Sequence, residues 1–356
     1  MRIGHLVWAA LVLGISAASA AVVDDDPYLW LSDIHGARAL EWVKAQNAIS
    51  EGQLKSDPRY KEDYDTLLKS LDIQDRIPEA RLDHSDVTNF WQDAQHPRGV
   101  WRKTTIASFN SPKPRWELLL DLDKLDADEH AQFVWQGADC TPVSKRCLVR
   151  LSPGGGDANI LREFDLKTKS FVKDGFALPL SKQNATLLDD NTVLVSTDFG
   201  PGTMTKSSYP RIVKLWKRGT PLAAAPTIFE IAVTDNSVNA RVYRGPYGAI
   251  PLIVKSLSFF SAEFHYVLPN GSTMKLPLPL GAELHGVTQG NLIFTLRDAW
   301  TPPGAAVAIP QGSIVAFPVK PFVIQKMPPR FTLLWSPDEH STAETVRAGR
   351  DAVYAA

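Results

Sequence analysis

The chain has 356 residues, 44% hydrophobic and 22% charged, with 38 basic and 39 acidic side chains and a formal charge of −1. That length allows one large all-β domain or two ordinary ones. The charge balance leaves no basic excess to neutralise a phosphate backbone, so nucleic acid is excluded as a partner.

Residues 1–20 read as a secretory signal peptide. Arg2 and His5 precede the apolar run Leu6 to Ile15, and Ser16-Ala17-Ala18-Ser19-Ala20 ends in an Ala-x-Ala pattern. An uncleaved anchor is the alternative, but that run falls short of the ~20 residues of a comfortable span. The expected mature protein is periplasmic or secreted and has no membrane contact after cleavage. Residues 21–78 read as a helical segment. Ala39, Trp42, Val43 and Leu54 share one helical face, and Asp57-Pro58 is a helix-start signal. Tyr60, Tyr64, Leu67, Leu68 and Leu71 then repeat at helical spacing, and Pro78 ends the segment.

From residue 79 to 356 the texture becomes that of strands. Short apolar or alternating runs lie between turns, among them Val100 to Ile106, Cys147 to Leu151, Leu161 to Leu166, Arg211 to Trp216 and Leu292 to Leu296. Tyr266-Val267-Leu268 and Met274-Lys275-Leu276 flank Asn270-Gly271, a strong hairpin signal. Turns at Ser111-Pro112, Lys167-Thr168, Arg218-Gly219, Asn270-Gly271 and Lys320-Pro321 recur roughly every fifty residues, the spacing of propeller blades. The expected fold is mainly β: a β-propeller of the seven-bladed type, incomplete at about five to six blades, after the short helical segment. A β-sandwich is the alternative.

The chemical signals are sparse. Cys140 and Cys147 are the only cysteines and, in an exported chain, a disulfide candidate across the turn Thr141 to Arg146. No Gly-x-Ser-x-Gly nucleophile elbow is present. Gly154-Gly155-Gly156 lacks the following helix that a phosphate cradle needs, and reads as a hairpin turn. Asp121, Asp123, Asp126, Asp128 and Glu129 lack the alternation and glycine of a calcium loop, and read as a solvated loop. The eight histidines are scattered. Trp91, Trp101, Trp116, Trp135 and Trp216 lie in strand-like runs and read as packing between blades. No catalytic, metal or cofactor residue is assigned.

Asp26-Pro27-Tyr28-Leu29-Trp30-Leu31-Ser32-Asp33, with Gly36-Ala37-Arg38-Ala39-Leu40-Glu41-Trp42 after it, resembles the N-terminal segment of prolyl oligopeptidase-type serine peptidases. Phe90 to Arg102, Trp116 to Asp123, Leu151 to Ala158, Ser196 to Gly200 and Val213 to Pro221 resemble successive blades of that family's propeller. The resemblance implies a propeller that gates the active site of an α/β-hydrolase domain and admits short peptides, with helices that wrap onto that domain. It implies serine-type peptidase chemistry, with the nucleophile and the whole triad in a C-terminal hydrolase domain beyond Ala356. The expectation is therefore a gating region that is inactive alone, ending within another blade in a strand-like run from Glu344 to Ala356 with no closing turn. The alternatives are an exported propeller that acts as a binding module, and a non-functional remnant.

Overall fold

A computed structural model describes residues 26–72, 79–83, 86–141 and 145–356. The signal-peptide reading of residues 1–20, the break at Pro78 and the centre of the turn between the cysteines lie outside the described residues. The chain divides into two compact units, one to Arg76 and one from Ile77.

In the first unit, α1 (Ala37–Lys55) and α2 (Tyr60–Leu71) follow a 3-10 turn at Leu29–Ser32. Good helix formers fill α1, and its last turn closes with the Glu51–Lys55 pair at 2.6 Å, one turn apart. The start of α2 lies later than Asp57-Pro58 suggests. Asp57 instead holds a turn, accepting from the Arg59 amide at 2.9 Å and pairing with its guanidinium. Tyr28, Trp30 and Trp42 cluster, with ring centroids 6.1 Å apart for the two tryptophans, and Arg38 stacks on Trp30 at 4.1 Å. Ala39 is the one buried residue of the two helices among those described.

The second unit is mainly β, a propeller of five antiparallel blades, four of them four-stranded and one five-stranded, with few helical turns among the described residues. Blade 1 holds β1 (Arg81–Asp83), β2 (Asp86–Trp91), β3 (Val100–Thr105) and β4 (Glu117–Asp121). Blade 2 holds β5 (Phe133–Cys140), β6 (Arg146–Pro153), β7 (Asn159–Asp165) and β8 (Ser170–Phe171), with a further strand, β9 (Ala177–Ser181), also on β7. Blade 3 holds β10 (Asn184–Asp189), β11 (Thr192–Ser196), β12 (Ile212–Lys217) and β13 (Thr227–Glu230). Blade 4 holds β14 (Ser237–Gly245), β15 (Gly248–Ser256), β16 (Ala262–Val267) and β17 (Thr273–Lys275). Blade 5 holds β18 (Ala282–Thr288), β19 (Asn291–Leu296), β20 (Ile314–Pro318) and β21 (Thr332–Trp335). A two-stranded hairpin follows, β22 (Val346–Ala348) and β23 (Val353–Ala355). The run from Glu344 that reads as one open strand is therefore two strands joined by a turn. Ala356 closes it, its carbonyl accepting from the Glu344 and Thr345 amides.

The five turn signals of the fifty-residue period fall at one place in the blade, between its third and fourth strands, although Lys320-Pro321 lies in a short helix, Val319–Val323, rather than a turn. The first strands lie innermost: β10 beside β14, β5 beside β10, and β18 beside β22. The second and third strands carry the densest burial, as in Leu148, Val149, Val193, Leu194, Leu252 and Leu292 on second strands and Leu161, Phe164, Val213, Val315 and Phe317 on third strands. Their side chains point alternately into the gaps on either side of each blade, so the core forms as successive inter-blade layers. The aromatic layer between blades 1 and 2 joins Trp101 to Trp135 at 5.1 Å and to Phe164 at 5.6 Å. Trp91 and Trp116 play a different part: they hold the Arg102 guanidinium between them, at 4.6 and 4.4 Å.

The acidic cluster is not a solvated loop. Leu122–Glu129 is a helix that Asp121 caps by accepting from the Lys124 amide at 3.0 Å. Asp123 accepts from the amides of Arg98 and Gly99, and Asp126 takes the Arg98 guanidinium at 2.9 Å and the Phe133 amide at 2.9 Å. These carboxylates tie the loop of blade 1 to the start of blade 2. Gly99 allows that approach with φ +102°; a Cβ there would stand 2.4 Å from the Phe90 ring.

Candidate functional site

The inner strands carry the unit's unusual polar chemistry. In β5 a bulge falls between Trp135 and Ala138, with Gly137 at φ +101°. A Cβ on Gly137 would lie 3.2 Å from Arg150 Nη2, so the bulge and the glycine together make room for that guanidinium. Arg150 donates to the Gln136 carbonyl at 3.3 Å. Burial pulls its pKa below the ordinary guanidinium value; the neighbouring Asp139 opposes this and Arg81 adds to it.

Asp139 is the hub. Its carboxylate accepts from the Thr186 hydroxyl at 2.6 Å, the Leu187 amide at 3.3 Å and Arg244 Nη1 at 3.3 Å. Arg244 also donates to the Leu187 carbonyl, while its Nε is buried without a partner among the described residues. One side chain of blade 2 thus holds blades 3 and 4 at the axis. Farther round, Glu283 pairs with Arg297 at 2.8 Å. His285 shares a hydrogen bond with Thr295 at 2.9 Å. Burial lowers the His285 pKa, opposed by Glu283 and assisted by Arg347. Arg241 and Arg347 stand exposed on β14 and β22. The inner surface is therefore rich in guanidinium groups, suited to carboxylates and carbonyls.

A second polar junction lies away from the axis. Glu163 on β7 is fully buried, and its carboxylate takes both Arg218 nitrogens at 2.8 Å and the Phe176 amide at 2.9 Å. The hydrogen bond to Glu163 raises the Arg218 pKa, and its guanidinium lies 4.6 Å over the Phe176 ring. This junction fastens blade 2 to blade 3.

Cys140 and Cys147 face each other across β5 and β6, with sulfurs 2.10 Å apart and Cα atoms 4.0 Å apart. Gly154-Gly155-Gly156 forms the β6–β7 turn, with Gly154 and Gly155 at positive φ. Of the histidines, His96 meets Asp93 at 3.1 Å and His265 meets Glu263 at 3.4 Å. Neither has a serine hydroxyl partner among the described residues. The Asp139–Arg244 and Glu163–Arg218 pairs have no sequence signature. Each joins residues more than fifty positions apart, and in a strand such charges read as the solvent face.

Residues 19–283 match the family model of the prolyl oligopeptidase N-terminal β-propeller domain. The chain belongs to the prolyl oligopeptidase family. This prolyl oligopeptidase-family propeller is 38% identical over 326 residues to the "Uncharacterized peptidase y4nA" of Sinorhizobium fredii, a match covering 89% of this chain and 44% of the relative. It is 28% identical to the "Uncharacterized peptidase RP174" of Rickettsia prowazekii, covering 76% of this chain and 40% of that one. A post-proline cleaving enzyme from Rickettsia typhi superposes with a TM-score of 0.81 at 26% identity, over 92% of this chain and 49% of that chain. Oligopeptidase B from Leishmania major shares the fold, with a TM-score of 0.59 at 11% identity, over 82% of this chain and 44% of that one. The chain spans about half the length of these relatives.

Proposed function

We propose that these residues form the gating, size-selecting propeller of a prolyl oligopeptidase-like serine peptidase that hydrolyses short peptides, and that they do not hydrolyse peptides by themselves. The observation that carries this reading is the match to the propeller domain over residues 19–283, together with the likeness to a post-proline cleaving enzyme over half of that enzyme's length. In this reading the propeller belongs to the seven-bladed type. The helical segment lies on a hydrolase domain, which contributes the serine nucleophile, its histidine base and the orienting aspartate. The mature protein works in the periplasm or outside the cell. The guanidinium-rich inner surface agrees with passage of peptides, whose carbonyls and terminal carboxylate accept hydrogen bonds.

The test is hydrolysis of a Gly-Pro chromogenic substrate. The 356-residue chain is expected to show no turnover above a heat-denatured control. A chimera that continues it with the remaining half of the Sinorhizobium relative is expected to cleave, and to prefer short peptides over folded proteins. Turnover by the chain alone that a serine-directed inhibitor abolishes would overturn the claim of inactivity. A chimera that folds and digests a folded protein as fast as a short peptide would overturn the gating role.

A further inference from the structure

Between the inner strands of blades 1 and 2 lies a cavity of about 130 Å³. At ~30 Å³ for each liquid water it holds about four waters. That is far below the few hundred Å³ of a drug-sized ligand site, so the cavity fits a single small group.

Its wall is aromatic on one side, with Thr88 and Asn89 among its polar lining. Phe90 and Trp135 stack with planes 2° apart and centroids 5.3 Å apart, and the buried Trp101 joins them. Its rim carries one charge of each sign, Arg81 and Glu79, only two residues apart in the chain. Both side chains are exposed. Arg81 spends one nitrogen on the Ala138 carbonyl at 3.2 Å, and the rest of its fork has no protein acceptor among the described residues. The Glu79 carboxylate has no ion-pair partner among the described residues. The backbone that carries Glu79 is nonetheless held. Asn89, itself buried, donates to the Glu79 carbonyl at 2.9 Å and accepts from Arg102 Nε at 2.8 Å.

We infer that this cavity binds a small free α-amino acid with an apolar or cyclic side chain, its carboxylate on Arg81, its ammonium on Glu79 and its side chain against Phe90, Trp101 and Trp135. Three features of the site meet three features of that ligand. A guanidinium fork takes a carboxylate in two hydrogen bonds. A carboxylate and aromatic faces both favour an ammonium. The aromatic side of the wall takes a small apolar body. The cavity has room for one residue and no more, which excludes a peptide lying along it. The inference stands apart from the peptidase reading, since binding is read on this chain without any turnover.

The test is calorimetric titration of the 356-residue chain with L-proline and L-valine, beside N-acetyl-L-proline and L-prolinamide. The free amino acids are expected to bind in the millimolar range. Blocking either terminus is expected to weaken binding about tenfold or more, the scale of one charge-assisted hydrogen bond. In ¹H–¹⁵N spectra the indole signals of Trp101 and Trp135 should shift with the free amino acid. Arg81→Gln and Glu79→Gln should each weaken binding to the same degree, and Glu79→Gln, which removes no hydrogen bond of its side chain to a described residue, should leave the melting curve unchanged. Equal binding of N-acetyl-L-proline and L-proline would overturn the inference, since the site would then read the acid alone. So would the absence of binding by either free amino acid, or indole signals that do not move. The blocked-ligand comparison uses the unaltered chain, so it decides even if a variant misfolds.

Discussion

Replacing Arg218 with alanine should be among the costliest single changes in the propeller. The Glu163 side chain is 0% exposed, and two of its three close hydrogen bonds come from Arg218. Removing the arginine leaves a carboxylate in the inter-blade layer with the Phe176 amide, and with Arg146 at 3.8 Å as its nearest remaining cation. Breaking a buried pair from one side costs about 3–5 kcal/mol, and Arg146 sets the expectation at about 3 kcal/mol. The opposite change is gentler. Glu163→Gln keeps an acceptor for the Phe176 amide, and the Arg218 side chain, 30% exposed, can turn to water, so about 1–2 kcal/mol is expected. For a unit of ~280 residues the unfolding entropy is roughly 0.6 kcal/mol per degree, so Arg218→Ala should lower the melting temperature by ~5 °C. Urea unfolding followed by tryptophan fluorescence measures both, since Trp216 packs edge-on against Phe176 at 4.9 Å. If Glu163→Gln proves costlier than Arg218→Ala, or both cost less than about 1 kcal/mol, the pair is not a buried fastening.

The Cys140–Cys147 disulfide closes only a short loop, the two residues being seven positions apart. Loop entropy gives ~2–3 kcal/mol, and a dithiothreitol-treated sample should melt ~4 °C lower. Gly99→Ala should destabilise by about 2 kcal/mol or more, because φ is +102° and the Phe90 ring occupies the space of the new methyl; denaturant midpoints measure this. Asp139→Ala removes the carboxylate that the Thr186 hydroxyl and the Leu187 amide donate to and leaves Arg244 only carbonyl acceptors, so ~3 kcal/mol is expected, against a smaller loss for Asp139→Asn. Burial lowers the pKa of His285 and His265 below 6.5 in the folded state. The unfolded chain then binds more protons as the medium is acidified, so stability present above pH ~6.5 is lost as pH falls below it. His285→Gln should flatten that slope between pH 7.5 and 5.5 by about half, as read from urea midpoints.

The repeating turns were the legible part of the fold, because each third-to-fourth-strand connection must reverse the chain and draws on Gly, Pro, Asn and Ser to do it. The hairpins at Lys167-Thr168 and Asn270-Gly271 stand where their residues suggest. The acidic helix Leu122–Glu129 was not legible. Its cap, Asp121, and its first-turn acid, Asp123, look like any charged run until Arg98 and the Phe133 amide are seen beside Asp126. The inner-strand network was hidden for a related reason. Alternation marks which strand residues are polar, but not whether they meet solvent or an arginine from a blade a hundred residues away, as Asp139 meets Arg244.

Blade 2 does not end in a continuous fourth strand. β7 is met by β8 at Phe164 and Asp165 and by β9 at Asn159 to Arg162, and the chain departs between them through Val172 to Phe176. A side chain at Gly175 would collide with Glu163 Oε2 at 2.7 Å, so the detour tolerates only hydrogen there. The fracture that swings Phe176 inward also denies a stranger's backbone any long, flat rim on which to dock. The broken outer edge of blade 2 and its cohesion with blade 3 thus trace to the same five-residue kink.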